Sequence, residues 1–69
     1  MTTRAELEAF AASLRADATD YRETEDRAAE GLDGMDFGDR CYWGDRADDT
    51  AQWAAEVEQR VAAWTYQAA

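Results

Sequence analysis

Apolar side chains recur along the first thirty residues at gaps of three, four and seven: Leu7, Phe10, Ala11, Leu14, Ala18, Tyr21 and Ala28. Such gaps mark one face of a helix with a 3.6-residue period. Thr3 and Glu6 open the stripe as a capping box, a hydroxyl at the cap with a carboxylate three residues on. Gly31, free to take a left-handed conformation, closes it. The pattern predicts a helix over residues 3–30, a rod of roughly 40 Å. The stripe lapses once, at Thr24 and Glu25. Arg4 with Glu8, Arg22 with Asp26, and Glu23 with Arg27 stand four apart and predict ion pairs on the wet side.

A second stripe, Trp53, Val57, Val61, Trp64 and Ala68, predicts a helix over about 49–67, capped by Asp48 or Asp49 and carrying a Glu56–Arg60 pair outward. Tyr66 sits off that stripe. Two amphipathic helices in one short chain give an all-α fold, a single small helical domain over 1–69 built as an antiparallel hairpin. Trp53, Val57, Val61 and Trp64 are expected to pack on Leu7, Phe10, Leu14 and Tyr21.

The connection over 31–48 is unusual. Residues 31–50 hold all four glycines and six aspartates, interleaved with Leu32, Met35, Phe37, Cys41, Tyr42 and Trp43. A structureless link of this length is rare in a compact domain. The composition predicts a structured Gly/Asp-rich connection with a third short helical turn or small hairpin around Asp39–Trp43. Phe37, Tyr42 and Trp43 are expected to fold back and plug the open end.

Composition sharpens this picture. Of 69 residues 46% are hydrophobic, but sixteen of those are alanine, which leaves little bulk for a core. A chain this short buries only about 60% of its unfolded surface. Three Trp, three Tyr and two Phe are many for one thin core. A dimer or another partner is therefore expected to add the missing layer. The net charge of −9 argues against a phosphate backbone or an anionic membrane as a direct ligand.

The sequence contains no His and no Lys, which removes imidazole bases, His metal ligands, Schiff-base chemistry and P-loop lysines. One cysteine forms neither an intrachain disulfide nor a thiolate zinc site. Without a His beside it, Cys41 reads as small buried filler. An EF-hand loop starting at Asp33 fails, because its third and fifth positions are Met35 and Phe37. The expectation is no enzyme, with no catalytic, metal or cofactor residue. The charged first six residues and the lack of a long apolar run predict no signal peptide and no membrane span. A free thiol fits the cytoplasm. The absence of Lys, Pro, His, Asn and Ile beside abundant Ala fits coding in a GC-rich actinobacterium or its phage.

The remaining function is binding. Asp17, Asp20, Glu23, Asp26, Glu30 and Asp33 step along the first helix by threes and fours. Phe37, Tyr42, Trp43, Trp53, Trp64 and Tyr66 are the candidate apolar anchors. Together they describe a small acidic module that binds and modulates a protein partner, itself in a homodimer or a basic nucleic-acid-binding protein. A second reading is a nucleic-acid mimic of the anti-restriction or anti-CRISPR type. Residues 1–34 hold nine acids and four Arg, sparse beside the roughly two dozen charges that duplex DNA carries over 40 Å. A third is a structural or assembly subunit of a phage or larger complex.

The run Tyr21-Arg22-Glu23-Thr24-Glu25 fits Y-x-x-x-D/E and resembles the signal of type VII secretion substrates of actinobacteria. The resemblance implies a signal that follows a helical hairpin, often with a W-x-G turn. Here the run precedes any hairpin and Trp43 and Gly44 are adjacent, so Tyr21 also reads as the next stripe position after Leu14 and Ala18.

Overall fold

A computed structural model of the chain describes residues 3–68, with side chains as far as Trp64. It contains helix α1 (Arg4–Ala29), one 3-10 turn (Leu32–Gly34) and helix α2 (Phe37–Ala68). The two helices run antiparallel and pack on each other as a hairpin 51 × 17 × 14 Å in extent. Among the described residues no helix is long and apolar enough to cross a membrane.

The start of α1 follows from the capping box. The Glu6 amide donates to Thr3 Oγ1 at 3.1 Å, and the Thr3 amide donates back to Glu6 Oε2 at 3.3 Å. At the far end Gly31 adopts φ +72° and its amide donates to the Ala28 carbonyl at 3.1 Å. That bond satisfies a carbonyl with no partner inside the helix. Asp33 also turns left-handed, at φ 58°, followed by Gly34 at φ +72°. Aspartate tolerates that region better than most side chains.

The second helix begins twelve residues before the expected Asp49, at Phe37. Asp36 and Asp39 explain the early start. The Asp39 amide donates to Asp36 Oδ1 and the Asp36 amide donates to Asp39 Oδ2, both at 3.0 Å. This is a capping box written with two aspartates, and their charge suits a helix N-terminus. The expected separate turn at Asp39–Trp43 is therefore the first part of α2, and Gly38 and Gly44 lie inside a continuous helix. The connection shrinks to the residues between Ala29 and Phe37.

The helices meet along a seam of small residues. Ala11, Leu14, Ala18 and Ala28 of α1 are buried, as are Gly44, Ala47, Ala54 and Val57 of α2. Ala11 and Ala18 are seven apart, as are Leu14 and Tyr21, and Ala47 and Ala54. A seven-residue repeat keeps one line of each helix facing the other, as in a coiled coil. Ala11, Leu14, Ala54 and Val57 form the central cluster, with Leu7 packed against it. Alanine brings the backbones close, and that leaves no room for the large rings. The expected packing of Trp53 and Trp64 into the core is thus corrected: both are exposed, and so is Phe10.

Candidate functional site

The seam divides the hairpin into two unlike flanks. One carries ion pairs. Arg15 donates to Glu58 twice, at 3.0 and 2.6 Å, and Arg22 bridges Glu25 at 2.6 Å and Asp48 at 2.5 Å. These bonds raise the pKa of Arg15 and of Arg22, and the bond from Arg15 holds the Glu58 carboxyl below its ordinary value. Arg22 reaches across to α2 and so does not make the expected pair with Asp26. Arg27 turns to Asp33 at 3.9 Å instead of Glu23. Glu56 and Arg60 do not pair, whereas Arg4 and Glu8 do, at 3.0 Å.

The other flank is aromatic. Phe10 of α1 meets Trp53 of α2 edge to face, with ring centroids 5.2 Å apart. Tyr21 stacks on Trp43 at 5.6 Å, and Tyr42 closes on Trp43 edge to face at 4.9 Å. The Arg46 guanidinium lies 5.1 Å from the Tyr21 ring and 5.8 Å from the Tyr42 ring, and donates to the Tyr21 hydroxyl at 3.4 Å. That bond keeps Arg46 more firmly protonated than an ordinary arginine. A shallow groove between Arg46, Asp49, Thr50 and Trp53 runs along this side.

A cluster of exposed rings in mutual contact is what sets this flank apart. Trp53 is 52% exposed, Tyr42 54% and Phe10 41%, although each already touches another ring. Trp64, at 38%, continues the line eleven residues beyond Trp53, three helical turns on. Trp43 is half-buried. Large apolar side chains gathered on one side of a small protein mark interaction surfaces, whereas scattered ones do not.

Two expectations change here. Phe37 and Tyr42 do not plug an end: Phe37 is 74% exposed beside Arg40, Cys41 and Gly44, on the ion-pair side. Cys41 is exposed rather than buried. Tyr21, with Glu25, serves the hairpin's own packing: Tyr21 stacks on Trp43, and the Glu25 side chain lies over Gly44. Tyr66 lies outside the residues whose side chains are described. Phe10 and Arg46 were absent from the candidate anchors. The signal for Phe10 was its seven- and eleven-residue spacing to Asp17 and Tyr21, the same spacing that separates Trp53 from Arg60 and Trp64.

The acidic residues Asp17, Asp20, Glu23, Asp26, Glu30 and Asp33 are all exposed. Three residues turn a helix by about 300°, so each step of three falls about 60° short of a full circle. From Asp17 to Asp26 the carboxylates therefore wind half-way round the rod rather than forming one ridge. Among the described residues no three His, Cys, Asp or Glu side chains converge as a metal site would require. No known protein family matches the chain, nor does any curated protein or solved structure.

Proposed function

We propose that this protein is a small acidic interaction module that binds and modulates a protein partner through the aromatic flank of its hairpin. The observation that carries the reading is the line of exposed rings, Phe10, Tyr42, Trp53 and Trp64, along one side of the seam. Aromatic side chains concentrate binding energy at interface centres, because each removes a large rigid surface from water at low entropic cost. The exposed carboxylates around that flank would set orientation and association rate. The chain's lack of His and Lys supports reading it as a binder rather than an enzyme.

The competing reading, a mimic of nucleic acid that occupies a basic protein, places the energy on the carboxylates instead. Affinity capture from cells that make the protein separates the two. With Trp53→Ser the captured partner is expected to be lost, and with Glu23→Arg it is expected to stay, in low and in high salt. Retention with Trp53→Ser, loss with Glu23→Arg and a steep salt dependence would instead make the acidic surface the active one.

A further inference from the structure

We infer that the occupant of the aromatic flank is a second copy of this chain, the two hairpins closing face to face into a four-helix assembly. The inference rests on the docking role proposed above and commits it to one partner. Three observations carry it.

The first is the thinness of the hairpin. Among the described residues no side chain larger than Leu14 is buried, and five of the buried apolar residues are alanines. Two helices joined through alanine remove little apolar surface from water, at roughly 25 cal/mol per Å2. The bulk that this chain does possess, its Trp, Tyr and Phe rings, stands mostly outside the seam. A second hairpin on the aromatic flank turns those rings into the centre of a bundle, the arrangement in which helices bury a/d-type positions from both sides.

The second is area. A side 51 Å long and 17 Å wide gives a footprint of roughly 850 Å2, against about 800 Å2 per partner in a stable interface of standard size. The flank is large enough for a stable complex only if most of its length is used. A copy of the same rod matches that length end to end.

The third is charge. The chain carries −9, yet little of that charge falls on the middle of the aromatic flank. By helical register Asp17, Asp20 and Asp39 share it with Arg46 and Arg60, and Asp49 lines its groove, a net of −2. The excess acid falls on the outer surfaces. A two-fold interface brings the same patch against itself, so a self-docking face must carry little net charge. This flank meets that condition, and the aromatic rings fill the space between the charges.

The test is sedimentation equilibrium of the purified chain over a dilution series, with tryptophan emission read on the same samples. The expected result is a species of about 15 kDa, twice the 7.7 kDa chain, with emission that shifts red as the mass falls on dilution. Trp53→Asp is expected to lower the mass to one chain at concentrations where wild type is paired. Thr19→Asp, on the ion-pair side, is expected to leave it unchanged. If Trp53→Asp unfolds, the wild-type series still decides, because mass and emission must change together. A single-chain mass at every concentration overturns the second copy. Should such a monomer still capture a different protein through Trp53, the docking flank stands and only its occupant is wrong. A monomer with no Trp53-dependent capture ends both proposals.

Discussion

Gly31 and Gly44 differ in what surrounds their missing side chains. Gly31 sits at φ +72° with nothing within 4 Å, so only its backbone matters. A Cβ there is strained by the left-handed conformation, at about 1 kcal/mol. Gly44 lies inside α2, where alanine is favoured by about 1 kcal/mol. Its added methyl would meet only the carboxylate end of the flexible Glu25 side chain. Glu25 can turn away, and Arg22 keeps Asp48. Gly31→Ala is therefore expected to lower the urea midpoint, while Gly44→Ala leaves it level or raises it. Far-UV dichroism at one fixed chain concentration reads both. Equal loss in the two variants would contradict this account of the turn and the seam. In the sequence Gly31 reads as the stop of the first helix, whereas Gly44 reads only as one glycine of the connection. What the sequence does not write locally is the neighbour that Gly44 meets, Glu25 of the other helix.

Helix α1 was legible almost in full because its signals are local: the Thr3 cap, the apolar spacing and the Gly31 stop all act within a turn of one another. The start of α2 was legible only in the Asp36–Asp39 pair, which was masked by the glycines and aspartates around it. Glycine inside a helix costs about 1 kcal/mol; the Asp36–Asp39 box starts α2, and contact with α1 begins at Trp43 and Gly44. The apolar stripe of α2 holds at Val57, which is buried, and fails at Trp53 and Trp64, which are exposed. Trp53 is the bulkier residue, but its neighbour Ala54 is the one that is buried, because close approach of two helices favours the small side chain. Hydrophobic size placed Trp53 and Trp64 in the core, whereas both stand exposed beside the seam.

Between these elements, the Arg15–Glu58 pair is the clasp most open to a pH test. Glu58 is held below its ordinary carboxyl value by the bond from Arg15. Its contribution is therefore complete above the unfolded carboxyl range, near pH 4 to 5, and is lost as pH falls through the lower folded value. Glu58→Gln should be less stable than wild type at neutral pH, and the gap should close in acid. Urea midpoints of both proteins across that range check the sign. A gap that widens on acidification would contradict it.

At the scale of the whole molecule, the hairpin is a two-sided rod. One flank is closed by ion pairs between its own helices and the other leaves rings in water. The central claim is that the second flank is where a protein docks. Site-specific photo-crosslinking tests it most directly. A benzophenone side chain replaces Asp49, beside Trp53, in one variant and Thr19, on the ion-pair flank, in another. Both are irradiated in the cells that make the protein. The prediction is a protein adduct from position 49, at twice the chain mass when the partner is a second copy, and none from position 19. Adducts from position 19 with none from position 49 would contradict the claim.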